Sequence, residues 1–355
     1  MEKRDRSERL ARLDGLRGFA AAGVVLYHMA NWPDLPVRLD PITGWVFLKG
    51  WTLVDLFFVL SGFVFAHVYG APDQLRRPQA MRAFAVARFA RLWPLHFAVL
   101  CLFAAFSWGG GNNGPHFAAH ALMLQGFDLM SARSFNSASW SLTIEILCYA
   151  LFAAGAWLGE RVLLWITVLA VVGCGWWLAV LGHPGGPWFG ETIPRGILGF
   201  FTGQLVWRNR ALGARLPAAL LWAMVGAGLW LDNGHISPLV PLGLLTWPAA
   251  VLLALRMPVM ESAVMHWLGQ RSFGLYMVHM LFIHAIDGIW PPQGLNWPGF
   301  VAAQAAIATL TLAAAEGAFR WIEVPGRRAI RHWLARAQSA APAVEARGAA
   351  SFMSH

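Results

Sequence analysis

Stretches of some twenty mainly apolar residues recur along the whole of this chain, and no water-soluble core could use them all. A helix that crosses a bilayer needs about 20 such residues. On that measure the 355 residues hold candidate spans near 14–32, 45–69, 84–107, 138–158, 162–181, 191–207, 214–231, 238–256, 264–286 and 298–322. Charged residues are 13% of the chain and hydrophobic ones 57%, whereas a soluble domain typically carries about 25% charged residues. The stretch 116–127, "HFAAHALMLQGF", is apolar but too short to cross, and reads as a re-entrant or surface helix. Gly and Pro punctuate the gaps, as in "GGGNNGP" and "HPGGP". Trp collects near span ends, where an amphipathic ring suits the headgroup level. The expected fold is all-α, a polytopic integral membrane bundle of about ten transmembrane helices.

The distribution of Lys and Arg then sets an orientation. With an even number of spans, only Arg38, Lys49 and Arg133 fall on one side. Arg17, Arg88, Arg91, Arg195, Arg271 and Arg320 lie within spans or at their ends. The other Lys and Arg residues lie in the N-terminal arm, the loops at 70–83, 159–161, 208–213 and 256–263 with their flanks, and the C-terminal tail. The positive-inside rule places that richer side, and both termini, in the cytoplasm. A multi-pass membrane protein is expected. Basic loops facing anionic headgroups account for the charge, so no nucleic-acid partner is needed. Residues 1–12 read as a cytoplasmic arm, 13–328 as the membrane domain and 329–355 as a cytoplasmic tail. The tail is rich in small residues and expected to be partly disordered. No cleavable signal peptide stands out. Cys101, Cys148 and Cys174 are scattered through apolar runs and form neither a disulfide framework nor a metal site. There is no P-loop and no Rossmann fingerprint, so no tightly bound cofactor is expected.

Ionisable residues inside apolar spans are costly, about 2.5–3.5 kcal/mol each on insertion scales, and they usually face a bundle interior or a water-filled cavity. In "LDGLRGFAAAGVVLYHMANW", Asp14 and Arg17 can pair three residues apart on one helix face. His28 lies eleven residues beyond Arg17, close to three whole turns and about 16 Å further along. One face thus presents a cation near the cytoplasm and an imidazole deeper. The competing readings are an arginine that snorkels to the headgroups and a structural, hydrogen-bonded histidine. In "ARFARLWPLH", Arg88 and Arg91 share a face, an arrangement that suits a phosphate between them. The alternative is a pair of anchors for anionic lipid. Pro94 could kink that helix. In "NSASWSLTIEILCYALF", Glu145 sits about two turns into its span and needs a partner, an arginine or His28. In "VDLFFVLSGFVF", Ser61 and Gly62 interrupt the span that carries Asp55 and read as packing residues. In "GQRSFGLYMVHMLFIH", Ser272, Tyr276 and His279 share one face, and His284 lies outside it.

Taken together these segments resemble the bacterial membrane acyltransferase-3 family, integral-membrane O-acyltransferases that decorate sugars. The family's first-helix signature matches at Arg17 and His28, its Arg-x-x-Arg motif at Arg88 and Arg91, and its Trp-Ser-Leu-x-x-Glu segment at Trp140, Ser141, Leu142 and Glu145. "VDLFFVLSGFVF" matches the second-helix segment. "SFGLYMVHM" resembles the late "SYxxYLxH" segment, with Phe273 and Met277 as departures, and "WIEVPGRR" resembles the closing Glu-x-Pro motif at Glu323 and Pro325. The six segments follow family order across about 11–328. The resemblance implies acyl transfer, commonly acetyl from acetyl-CoA, to a hydroxyl of a carbohydrate or another secondary product. Some members carry a fused periplasmic esterase-like domain. This chain ends soon after its last span, so it is expected to act alone or to pass its acyl group to a separate periplasmic partner.

The expected mechanism seats the phosphates of acyl-CoA, a co-substrate, on Arg88 and Arg91, with Arg17 joining them, and threads the thioester inward to His28. His28 is then either a general base or a transient acyl carrier. Glu145 is expected to orient or charge-stabilise the imidazole, with Asp14, Ser61, Trp140, Ser141, Tyr276 and His279 binding substrate or supporting the site. A proton-coupled secondary transporter also carries buried Arg, His, Glu and Asp. However, no half-to-half similarity is visible here. A non-catalytic membrane protein of the same fold is the third reading.

Overall fold

The computed structural model describes residues 2–31, 41–71, 73–231, 236–292, 295–330, 333 and 336. Arg38 and the tail at 337–355 lie outside the described residues. In chain order the α-helices are α1 (Glu2–Asn31), α2 (Pro41–Lys49), α3 (Leu53–Tyr69), α4 (Pro78–Ser107) and α5 (Gly114–Ala121). They continue with α6 (Leu129–Arg133), α7 (Trp140–Leu158), α8 (Glu160–Val180), α9 (Thr192–Arg208) and α10 (Arg210–Arg215). The last are α11 (Ala218–Trp230), α12 (Leu239–Pro241), α13 (Trp247–Ala254), α14 (Ala263–Ile289) and α15 (Trp297–Ala318). Among the described residues no β-structure forms beyond an isolated bridge between Gly109 and Asn112. The chain is an all-α polytopic membrane protein. Among the described residues six helical stretches are long and apolar enough to cross a bilayer, with Ala218–Trp230 and Leu239–Ala254 as shorter apolar helices.

Local chemistry explains most boundaries. Pro78 opens α4 at its first turn, where its missing N–H is no loss. The helix then continues through Pro94. Asn113 caps α5 by accepting from the His116 amide. That short helix falls where the apolar stretch was too brief to cross. His120 at its end is fully buried and bonds the Ser131 carbonyl, which pins the segment to the bundle. α3 runs unbroken through Ser61 and Gly62, so these residues do not interrupt it.

Two close helix pairs organise the interior. α1 meets α14 at Gly18 and Gly269. A Cβ on Gly18 would sit 2.5 Å from the Gly269 nitrogen, and one on Gly269 would sit 2.2 Å from the Asp14 carbonyl oxygen. α3 meets α9 in the same manner, with Gly203 against the Val59 carbonyl. Small residues permit such approaches in membranes, where packing replaces the hydrophobic effect as the driving force. Across the α3–α9 seam, Arg195 donates to both oxygens of Asp55 at 2.8 and 2.6 Å, and both residues are 3% exposed. The guanidinium lies over the rings of Trp51 and Trp140, 4.6 and 5.2 Å from their centroids. The charge that looked isolated at Asp55 is therefore a satisfied structural pair.

The basic loops gather at one end of the bundle. Arg12 bonds Glu261 and the Leu255 carbonyl, Arg256 bonds the carbonyls of Gly213 and Leu216, Arg208 pairs with Glu160, and Arg76 reaches the Trp157 carbonyl. Arg82 packs over Trp333 at the same end.

Removing one partner of a buried ion pair leaves an uncompensated charge, which costs about 3–5 kcal/mol. Arg195→Ala is expected to lower the thermal unfolding midpoint of the detergent-solubilised protein sharply. The paired substitution Asp55→Leu with Arg195→Met should recover much of the loss. A double variant no better than the single one would show that the pair is not the source of the effect.

Candidate active site

A cavity of about 300 Å³ opens among α1, α3, α4, α7 and α14. Each helix contributes one periodic face. α3 supplies Val54, Phe57, Phe58, Ser61, Val64, Phe65 and Val68, spaced three and four residues apart. α7 supplies Ser141, Leu142, Glu145 and Tyr149, and α14 supplies Ser272, Phe273 and Tyr276. α1 contributes Leu13, Asp14 and Arg17, and α4 contributes Arg88, Arg91 and Leu92. Eight of the eleven residues expected to form the site thus share one cavity: Asp14, Arg17, Ser61, Arg88, Arg91, Ser141, Glu145 and Tyr276.

The mouth is cationic. Arg17 pairs with Asp14 at 2.6 Å, the contact their spacing predicted. Arg88 donates to the Tyr69 hydroxyl at 3.2 Å and lies over the rings of Phe65 and Tyr69, while its Nε has no partner. Arg91 makes no ion pair among the described residues. Arg271 and Arg320, by contrast, both pair with Glu316 outside the cavity. The mouth therefore holds more positive charge than its own carboxylates neutralise.

One turn deeper, Glu145 accepts hydrogen bonds from Ser61 at 3.2 Å and from Tyr149. It does not meet His28, so the expected carboxylate–imidazole contact is absent from this arrangement. The reason is helical geometry. Glu145 lies in the second turn of α7 against Ser61 of α3, whereas His28 lies in the last turn of α1 against α14. Tyr149, stacked on Phe65 at 4.3 Å, escaped the sequence reading. Its signal was present, because Ser141, Glu145 and Tyr149 recur every fourth residue on one face.

The inner end of the cavity closes on Tyr276. Its hydroxyl bonds the Ala138 carbonyl at 2.6 Å and Ser141 Oγ at 2.8 Å, and its ring packs beside Phe57. His279, one turn further along α14 and fully buried, lies 3.2 Å from His28, Nε2 to Nδ1. Neither histidine lines the cavity. His28, expected deeper in the same cavity, instead meets His279 one turn past Tyr276 on α14. His28 faces α14 through His279, and Arg17 lies eleven residues earlier on α1 at the cavity mouth.

Carbonyl acceptors assign the ring protons. His279 Nδ1 donates to the Leu275 carbonyl, which leaves Nε2 bare to face His28. His28 Nδ1 donates to the Val24 carbonyl at 3.0 Å and toward that bare nitrogen. Nε2 of His28 then carries the free lone pair, as a base or a nucleophile requires. His279, rather than Glu145, is the side chain that meets His28. Trp140 does not line the cavity, and its ring instead covers Arg195 and packs against Phe58. His284, exposed, bonds only the Met280 carbonyl of its own helix.

Comparison with known proteins bears on this geometry. The profile of a family described as "Acyltransferase domain" matches residues 10–316. The chain is 26% identical to "Acyltransferase MdmB" of Streptomyces mycarofaciens, over 87% of this chain and 89% of that protein. It is also 26% identical to "Nodulation protein 10" of Rhizobium leguminosarum bv. viciae, over 85% and 91% of the two chains. "Protein 2 in picA locus" of Rhizobium radiobacter is 41% identical over 100 residues, 28% of this chain and 46% of that protein. No solved structure matches.

The Tyr276 partition can be probed chemically. Ser141→Cys is expected to react with a membrane-impermeant thiol reagent supplied on the Arg88 side. His28→Cys should not react from that side until Tyr276→Ala is added. Equal labelling of both cysteines without that change would remove the partition.

Proposed function

This chain belongs to the acyltransferase-3 family, and from that premise we propose that it moves a short acyl group, acetyl foremost, from cytoplasmic acyl-CoA to a hydroxyl of a carbohydrate or glycan. The chain is a membrane-bound acyltransferase. The donor, acceptor and residue roles are our reading. The observation that carries it is the pairing of an under-neutralised arginine mouth with a histidine whose Nδ1 is engaged by the Val24 carbonyl and by His279, which leaves Nε2 without a protein partner among the described residues.

The basic loops gathered at the mouth end support a cytoplasmic mouth in the bacterial inner membrane, by the positive-inside rule. Arg88 and Arg91 hold the donor phosphates, and Arg17 can turn from Asp14 to join them. The thioester end points toward Tyr276. Displacement of that ring joins the cavity to His28. There Nε2 either takes the acceptor hydroxyl's proton as that oxygen attacks the thioester carbonyl, expelling the thiolate, or attacks the carbonyl itself and passes the acyl group on. In the second route a separate acyl-accepting partner on the far side can serve as the acceptor. His279 keeps the His28 ring in the reactive tautomer in either case.

Two experiments test this reading. Arg88→Ala with Arg91→Ala should weaken acyl-CoA binding to purified protein strongly, and lysine at these positions should rescue only in part, since it lacks the bidentate geometry. Unchanged affinity would return both residues to the lipid-anchor reading. His28→Ala should lower transfer by about 10²–10⁴-fold, the usual span for a general base, with acyl-CoA binding intact. Radiolabelled acyl-CoA without acceptor separates the two routes. Label on the wild-type protein that is missing from His28→Ala marks an acyl-imidazole, and no label marks a base. Full activity in His28→Ala would exclude both.

A further inference from the structure

We propose that the middle of the cavity is a subsite built to accept hydrogen bonds, in which Glu145 Oε2 and Ser141 Oγ receive N–H groups from the arm of an extended ligand whose anionic end rests on Arg88 and Arg91. The proposal comes from counting protons. Ser61 and Tyr149 both give their hydroxyl protons to Glu145 Oε1. A carboxylate only accepts. Glu145 Oε2 has no protein partner among the described residues, and the residue lines the cavity. Ser141 lies four residues before Glu145 on α7; the Tyr276 proton is used on the Ala138 carbonyl, so Ser141 gives its own proton to the Tyr276 oxygen. Ser141 Oγ then keeps lone pairs and has no proton to offer the cavity.

The mouth, in contrast, offers mainly donors: the guanidinium groups of Arg88 and Arg91, beside an Arg17 whose charge Asp14 offsets. Between Tyr149, Glu145 and Ser141 each step along α7 is about 6 Å. The lining therefore changes from donor to acceptor within about two helical turns. Free phosphate satisfies the mouth alone. An acyl chain or lipid tail would leave the Glu145 carboxylate facing hydrocarbon, which is costly without a partner. An anion followed by amide N–H groups matches both zones. This rests on the acyl-CoA reading above, whose pantetheine arm carries amides beyond its phosphates. Glu145 is then a donor-binding residue, and the orienting of His28 falls to His279 alone.

The test compares two ligands on the full-length protein in detergent or nanodiscs: coenzyme A, and its phosphoadenosine diphosphate headgroup without the arm. Glu145→Gln keeps the size and one acceptor but introduces an amide donor. It is expected to weaken coenzyme A binding by about ten- to a hundredfold, the range of a hydrogen bond to a charged group. Headgroup binding should be nearly unchanged. Ser141→Ala should weaken coenzyme A binding by a smaller factor, again sparing the headgroup, and it checks the result if Glu145→Gln folds poorly. Equal loss for both ligands would make Glu145 a general electrostatic or structural residue and overturn the subsite. Unchanged coenzyme A affinity with transfer abolished would move Glu145 into the chemistry and also overturn it. Wild-type protein that binds the headgroup but gains nothing from the arm overturns the subsite while keeping the donor reading. Wild-type protein that binds neither ligand removes the donor reading, and the subsite with it.

Discussion

The near-contact of α1 and α14 at Gly18 and Gly269 sets the geometry of everything that follows. With a hydrogen in place of a side chain on each helix, the backbones approach until a Cβ would collide. From that crossing both helices run the same way. His28 lies ten residues past Gly18, and His279 ten residues past Gly269. Equal rises of about 15 Å bring the two imidazoles level, and they meet at 3.2 Å. In the other direction the same contact places Asp14 and Arg17 at the cavity mouth. A bulkier residue at the crossing would separate the helices at both ends together.

Charge inside the bundle is then sorted by whether it is paired within the protein. Asp55 and Arg195 satisfy one another between two tryptophan rings and sit away from the cavity. Arg271 and Arg320 share Glu316. These pairs hold helices in register and offer little to a ligand, because their donors and acceptors are spent on each other. The cavity differs in kind. Arg91 lacks an ion-pair partner among the described residues, Arg88 leans on aromatic faces, and Glu145 keeps one oxygen unused. In a low-dielectric setting such incomplete pairing is expensive, and a ligand of complementary charge relieves it. The two histidines lie outside this zone and meet one another one turn past Tyr276.

Much of this was legible in the residues. Apolar runs of span length exist because every backbone polar group in lipid must be satisfied within its own helix, and that requirement shows in composition. Helical periodicity then fixes which residues of one helix share a face. Arg17 with His28, Arg88 with Arg91, and Ser272 with Tyr276 and His279 could all be grouped before any fold was known. Tyr149 could have joined Ser141 and Glu145 by the same rule. What periodicity cannot supply is the identity of the facing helix. A buried carboxylate satisfies its lone pairs with whichever donors packing brings near, and an arginine, a serine, a tyrosine or a histidine is chemically adequate. Hence Asp55 finding Arg195 across 140 positions, Glu145 finding Ser61 and Tyr149, His28 finding His279, and Tyr276 closing the cavity between them were decided only by tertiary structure, through the glycine contacts that choose which helices touch.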